Sequence, residues 1–420
     1  MKEYLLGFWN KFKSGTIKFK IFICSIIILY IGILGITLIQ FEVDSTLPGT
    51  ITNVSEVIDI KSENESGKIY TVSVYSHSKM SLLQYWLVKL DKNSEVEKGK
   101  STTLEIFTEN EEYASNVGYK EQSIQDSLIV AYTEAINNGY DVTLDYTYKG
   151  QYLINIPQNL FRTGSEDFKN SDIVTGFNNT LFTSEEDYLL SLNTIFSEIS
   201  YEGKTIKEYK DNNNFSFYDS AGNRNDENIN LVINLINYVS TLESNHSFNI
   251  IRNKEEKVIT PSVKMLFYLY SNIICKSKDN SNEHSLYTIA ESHFTSYTIN
   301  YDNCNPKINI SKSDAVGPSG GLMQTLAIYN SITNDDITKG KFILGTGGIN
   351  LKGEATIIGG VQQKVVTAHL YEADIFFVPK ENYESAKEKY DTLDTKLQLV
   401  CVETFNDVIN YLNNMEVNNG

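Results

Sequence analysis

The hydrophobic pattern begins with one long, uninterrupted apolar segment. Residues 21–39, IFICSIIILYIGILGITLI, contain no charged side chain. As a helix rising about 1.5 Å per residue they extend roughly 28 Å, close to the hydrocarbon thickness of a bilayer. Lysines precede the segment and acidic residues follow it, so the charge asymmetry places residues 1–20 in the cytoplasm and everything after about residue 40 outside the cell. We expect an uncleaved, single-pass anchor rather than a cleaved signal peptide, because no A-x-A-like site follows.

Beyond this anchor, strand-like and helix-like segments alternate in an extracellular α+β region at residues 41–150. β-Branched and aromatic residues predict strands at 69–76 and 82–90. Apolar residues at helical spacing predict a helix at 123–139, and a further strand is expected at 142–148.

The pattern loosens over residues 151–260. The order strand, turn, strand, helix is predicted at 171–195, and a hairpin with a charged tip at 246–260. The polar stretch at 210–230 is typical of a surface insertion.

A last unit of about 160 residues occupies 261–420. It opens after Pro261 with the apolar stretch VKMLFYLYSNII and a polar loop at 276–285, and later helices alternate with strands predicted at 307–311, 341–346, 373–379 and 397–402. The whole chain is therefore assigned to the α+β class.

Charge and cysteine content narrow the function classes. The net charge of −17 argues against nucleic acid as a partner. The four cysteines form no CxxC pair and the five histidines no HExxH motif, so no metal site and no cofactor are expected. A disulfide between Cys275 and Cys304 is left open.

The most distinctive chemistry is a GPSGG turn at residues 317–321, which opens into an apolar run with helical spacing. A phosphate-binding loop needs GxxxxGK[ST], whereas Leu322 and Met323 follow Gly321 here. Ser319 is either the N-cap of the following helix or a nucleophile, and the stretch alone does not decide between them. Backbone amides between Gly317 and Gly320 would bind an oxyanion in the second case.

A serine nucleophile needs a base. His369 is the only histidine downstream and has no evident acid to orient it. Lys364, in IGGVQQKVVTAHL, has apolar helical neighbours if a helix starts after Gly360, and burial lowers the pKa of a lysine. The alternative is a lysine whose stem packs while its ammonium reaches water.

Together, NPKINI, GPSGGLMQTLAIYN, TKGKFILGTGGINLKGE and IGGVQQKVVTAHLYEADIFFVPKEN resemble the proteolytic domain of Lon-type serine proteases, closely over residues 305–382. The resemblance implies a Ser–Lys dyad of Ser319 and Lys364, which are 45 residues apart, supported by Thr346, 18 residues before the lysine. Val316 and Gly348 depart from the family pattern, in which acidic residues are common at both places. The chain has no Walker motif, so an ATP-independent endopeptidase acting on exposed or unfolded protein segments is expected.

The order of anchor, outer region and C-terminal proteolytic unit resembles the membrane-anchored PDZ–Lon proteases of Gram-positive bacteria. Residues 151–260 are similar to a divergent PDZ domain, although Asn179 stands where that domain usually has glycine, and the alternative is an unrelated α+β spacer. The resemblance implies protein or peptide substrates, contact with the lipid bilayer and a possible homo-oligomer. The alternative is an extracytoplasmic PDZ-like binding protein whose Lon-type domain is inactive.

Overall fold

The computed structural model describes most of the chain. Its described residues are 9–57, 66–97, 106–161, 167–218, 222–277, 284–308, 318–333 and 335–415. Most of the predicted strand at 307–311 lies outside them, as does Gly317.

The helices differ widely in length. In chain order they are α1 (Ile17–Leu38), α2 (Val54–Val57), α3 (Leu82–Leu90), α4 (Glu109–Asn137), α5 (Gln158–Phe161), α6 (Glu185–Glu198), α7 (Ile206–Asp211), α8 (Asp226–Val239), α9 (Val263–Ser271), α10 (Gly321–Ile332), α11 (Val361–Leu370), α12 (Lys380–Tyr390) and α13 (Phe405–Asn414).

The strands fall into two large sheets and three small pairs. In chain order they are β1 (Gln40–Asn53), β2 (Lys68–Ser81), β3 (Glu95–Glu97), β4 (Tyr146–Leu153), β5 (Ile173–Phe177), β6 (Thr180–Leu181), β7 (Ser200–Tyr201), β8 (Lys204–Thr205), β9 (Phe248–Arg252), β10 (Glu255–Ile259), β11 (Ile273–Ser277), β12 (His284–Thr288), β13 (His293–Ile299), β14 (Phe342–Gly345), β15 (Gly348–Ile349), β16 (Ala355–Thr356), β17 (Ile375–Pro379) and β18 (Gln398–Val402).

The first large sheet has the order β18-β17-β14-β2-β1-β3 and carries helices on both faces. Strands β2, β14, β17 and β18 run parallel, and β1 pairs antiparallel with β2 and β3. Successive side chains of a strand point to opposite faces, so Ile343 packs with α4, α10 and α13, whereas Leu344 packs with α11 and α12. The apolar runs of β14 and β17 are buried on both sides, as is usual for parallel strands between helical layers.

The second large sheet, of order β10-β9-β5-β4-β13, is antiparallel and forms an inserted unit. Helices α6, α8 and α9 cover it with a core of aromatic and branched side chains, among them Phe168, Tyr188, Phe196, Leu235 and Phe248. The predicted strand–turn–strand–helix at 171–195 and the hairpin at 246–260 are confirmed.

The mixed α+β class is confirmed, and α1 is long and apolar enough to cross a bilayer, with none of its residues buried against the protein. Its sidedness, the extracellular position of the remainder and the PDZ-like nature of the inserted unit stay predictions. No disulfide joins Cys275 and Cys304 in this structure.

Residues 82–90 form helix α3, so the strand predicted there is wrong. Ser81 caps the helix: its hydroxyl accepts from the amide of Gln84, and the Gln84 side chain accepts from the amide of Ser81. This reciprocal cap stabilises a helix start and outweighs the β-propensity of the segment. Three other bounds also differ. Helix α4 begins at Glu109, well before the predicted start at 123, β4 begins only at Tyr146, and the predicted surface insertion at 210–230 already contains the start of α8.

The predicted domain boundaries at residues 150 and 260 stay predictions, and the packing groups the chain differently. Strand β2 and helix α4 share one core with α10 and β14, so segments far apart in sequence build the same three-layer unit. Conversely, α9 and β11 follow residue 261 but pack in the core of the inserted unit.

Candidate active site

The Gly-Pro-Ser turn leads directly into helix α10. Gly320, not Ser319, is the N-cap residue, and no side chain caps this helix. The interpretation of Ser319 as an N-cap is therefore wrong. Its side chain is partly exposed, and among the described residues its hydroxyl has no hydrogen-bond partner. The predicted apolar face behind it is confirmed, because Leu322, Leu326 and Tyr329 are all buried.

Two serines of α4 hold this turn in place. Ser123 Oγ donates to the carbonyl of Pro318 at 3.2 Å, and Ser127 Oγ donates to that of Gly321 at 3.0 Å. The approach is so close that a Cβ on Gly321 would lie 2.8 Å from Ser123 Oγ. The same Cβ would lie 3.1 Å from the backbone nitrogen of Ile349, so glycine fits at 321 because α4 and β15 both approach the turn closely.

Lys364 lies in the first half of α11. The helix begins at Val361, after Gly360 at φ +66°, as the sequence predicted. Only 2% of Lys364 is exposed, and its helix neighbours Val361 and Val365 are buried beside it. The interpretation of Lys364 as a lysine with a hydrated ammonium is therefore wrong.

Thr346 connects the lysine to the serine turn. Its Oγ1 accepts a hydrogen bond from Lys364 Nζ at 3.0 Å and donates one to the carbonyl of Ser319 at 3.1 Å. The Gly347 amide donates to the same carbonyl at 2.9 Å. Thr346 follows β14 directly and is completely buried, and its own amide donates to Phe377 of β17. The central parallel strands thus fix the threonine between the other two residues.

Burial lowers the pKa of Lys364 to about 8. Within the part of the chain that the structure describes, no carboxylate forms an ion pair with it. A lysine with this pKa is neutral in roughly one molecule in ten at pH 7, so it is able to accept a proton.

The structure brings three of the predicted residues into one hydrogen-bonded series, Lys364–Thr346–Ser319, while their catalytic roles stay predictions. Gly320 lies in the same turn, whereas Gly317 lies outside the described residues. His369 lies in the last turn of α11, five residues after Lys364, and therefore points about 140° away around the helix.

Sequence reasoning missed Ser123, Ser127 and Thr71, which contact the turn from α4 and β2. The two serines are four residues apart, on one face of a helix that was predicted. The sequence signal that could have identified them is the presence of small polar residues on the otherwise apolar face of this helix. Their acceptors lie 195 and 194 residues later, and nothing local identifies them.

Comparison with known proteins places the turn and the lysine in the same matched region. Residues 281–414 match the Lon protease (S16) C-terminal proteolytic domain. The chain is similar to the Lon proteases of Malacoplasma penetrans (34% identical over 96 residues), Campylobacter jejuni (32% over 114) and Clostridioides difficile (30% over 93). These alignments cover 22–26% of this chain. The chain spans only 12–14% of the length of those relatives.

Proposed function

We propose, from the premise that residues 281–414 match a Lon-type proteolytic domain, that the chain is a serine endopeptidase with a Ser319–Lys364 dyad. The observation that carries the proposal is the buried lysine of lowered pKa, joined through Thr346 to the backbone of the serine turn. A charged amine without a carboxylate partner is costly to bury, and a proton-accepting role explains its position.

In this proposal neutral Lys364 removes the proton from Ser319 Oγ as the oxygen attacks the carbonyl carbon of the scissile peptide bond. The negative charge that develops on the carbonyl oxygen is bound by backbone amides of the turn. Among the described residues, the amides of Ser319 and Gly320 have no hydrogen-bond acceptor. The resulting ammonium of Lys364 then protonates the departing amine, and water hydrolyses the acyl ester by the reverse sequence.

Thr346 is the positioning residue in this mechanism. One hydroxyl group holds the lysine nitrogen and the serine carbonyl, so the distance between the two predicted catalytic residues depends on it. Precise placement of reacting groups contributes substantially to catalysis.

We further propose that α1 anchors the enzyme in the cell membrane with its N-terminus in the cytoplasm, and that cleavage occurs outside the cell without ATP. The uncharged helix Ile17–Leu38 and the lysines before it support the anchor and its orientation. The printed sequence contains no GxxxxGK[ST] motif, so we expect substrates to be exposed or unfolded segments of proteins.

The alternative of a PDZ-like binding protein has less support from the packing of the inserted unit. Capture of a peptide strand requires a free sheet edge. Strand β13 (His293–Ile299) is one edge of the sheet, and Gln125 of α4 bonds its backbone, donating to the carbonyl of Thr295 and accepting from the amide of Tyr297. The opposite edge strand, β10, exposes Glu255 and Glu256, and edge charges oppose the addition of another strand.

The full chain in detergent micelles, given an unfolded protein substrate without nucleotide, tests the dyad. Ser319→Ala and Lys364→Ala should abolish cleavage, whereas Lys352→Ala, which removes an exposed lysine, should leave it unchanged. Equal cleavage by all variants would refute the assignment, and no cleavage by the unmodified chain would favour the binding alternative. Circular dichroism of each variant controls for folding.

The proposed sidedness has its own test on intact cells. Cys401 is exposed, so a membrane-impermeant maleimide should label the chain, and Cys401→Ser should reduce the labelling. Labelling only after the cells are lysed would place the C-terminal unit in the cytoplasm.

A further inference from the structure

Helix α3 carries an apolar stripe that the protein leaves uncovered. Leu83, Trp86, Leu87 and Leu90 recur at i, i+3, i+4 and i+7, so they share one face of the helix. Trp86 is 50% exposed, Leu87 58% and Leu90 80%, and no residue of the helix is buried. A helix packed on a core normally buries such a stripe.

The opposite side of α3 attaches it to the protein. Tyr85 packs edge-on against Phe41 of β1, with ring centroids 5.8 Å apart, and Lys89 Nζ lies 5.1 Å from the Tyr85 ring centre. The reciprocal cap between Ser81 and Gln84 fixes the helix start. The orientation of the helix is therefore set by its protein-facing side, and the stripe faces away.

The register of the β1–β2 pair locates α3 beside the end of α1. Helix α1 ends at Leu38 and β1 begins at Gln40, which pairs with Ser81, the N-cap of α3. The two helices also contact each other directly. The exposed stripe is therefore close to the C-terminal end of α1, where Leu38 is also exposed.

We propose that α3 lies in the headgroup region of the bilayer that α1 crosses, with its stripe inserted among the upper acyl chains. The inference rests on the proposed anchor. An apolar stripe that contains tryptophan and continues from the end of a membrane-spanning helix is typical of helices that lie in the membrane interface.

A second copy of the chain fits this stripe less well. A standard protein–protein interface buries roughly 800 Å² on each partner, and four partly exposed side chains fall well short of that area. The lipid surface needs no further contact, since α1 already holds α3 beside it.

Depth-dependent fluorescence quenching tests the placement, because Trp9 and Trp86 are the only tryptophans of the chain. The full chain with Trp9→Phe is reconstituted in phosphatidylcholine vesicles whose acyl chains carry bromine either near the headgroup or near the chain end. Two variants that also carry Trp86→Phe serve as references: Tyr30→Trp reports on α1, and Lys352→Trp reports on an exposed turn of the C-terminal unit.

We expect bromine near the headgroup to quench Trp86 more strongly than bromine near the chain end, and aqueous iodide to quench it weakly. Tryptophan at position 30 should be quenched by brominated lipid, and tryptophan at 352 by iodide alone. If position 30 is quenched but Trp86 responds only to iodide, the inference fails while the anchor stands. If neither responds to brominated lipid, the proposed anchor itself fails. Shielding of Trp86 from both quenchers would instead indicate a second copy of the chain and also overturn the inference.

Discussion

Replacing Lys364 by methionine should stabilise the protein. Methionine keeps most of the stem length and removes the ammonium, which is buried with one neutral hydrogen-bond partner, Thr346. A pKa lowered from 10.5 to about 8 means that the folded protein binds this proton less tightly than the unfolded chain does. At ~1.4 kcal/mol per pKa unit, the charged lysine costs about 3 kcal/mol of folding free energy.

The sign of the pH dependence follows from the same two pKa values. Below pH 8 the lysine is protonated in both states and the cost is fully present. Between pH 8 and 10.5 only the unfolded chain keeps the proton, so the cost shrinks as the pH rises. The advantage of methionine should therefore be about 3 kcal/mol at pH 7 and about 2 kcal/mol at pH 9.

Urea denaturation of the full chain in micelles measures this difference. Both proteins should carry Ser319→Ala so that self-cleavage does not confound the comparison, and Lys352→Met is the matched control at an exposed lysine. The free energy of unfolding follows from the midpoint and slope of each curve. A methionine variant that is less stable at pH 7, or whose advantage does not fall by pH 9, would refute the description of Lys364 as a buried, uncompensated charge.

Three further predictions concern the same site. The value of kcat/KM should fall about tenfold per pH unit below pH 8, because the proposed mechanism requires neutral Lys364; a flat profile from pH 6 to pH 9 would contradict the proposed role. Thr346→Val should lower kcat and shift the midpoint of that profile to lower pH, because the ammonium loses its hydrogen-bond acceptor, and Thr346→Ser should restore both. Gly360→Ala should lower the free energy of unfolding by about 1–2 kcal/mol, because φ is +66° and the new Cβ would lie 3.0 Å from Val74. Gly359→Ala, whose Cβ meets open space, is the control, and equal urea midpoints for the two would contradict the argument.

The parts of the site that depend on neighbouring residues were predictable. Gly360 and the apolar residues after it predicted where α11 begins and that Lys364 had apolar company, and the structure confirms both. The choice between a buried and a hydrated ammonium was not predictable from the helix, because it depends on Thr346, which the neighbouring strand supplies. Only the resemblance to a family indicated that threonine.

The parts that depend on distant packing were not predictable. Nothing near the Gly-Pro-Ser turn indicates that Ser123 and Ser127 bind it. The whole inserted unit lies between α4 and the turn in the sequence, so this contact forms only in the folded protein. The strand predicted at residues 82–90 was wrong for a different reason. Their composition favours a strand, but the cap at Ser81 and the helical spacing of the apolar residues favour a helix. The cap and the spacing outweigh the composition.

The length of the β1–β2 pair also sets the distance between the end of α1 and the serine turn. Ser81 lies at the end of β2 nearest α1, and Thr71, ten residues earlier on the same strand, is the residue that a Cβ on Gly320 would touch at 3.0 Å. At about 3.3 Å per residue, this part of the strand extends roughly 33 Å, which sets the scale of the separation between the proposed membrane anchor and the proposed catalytic serine. A substrate anchored in the same bilayer would then need on the order of ten extended residues between the membrane and its scissile bond. If the proposed anchor and the proposed activity both hold, membrane-bound substrates would be selected by the length of the extended segment between the membrane and their folded domains.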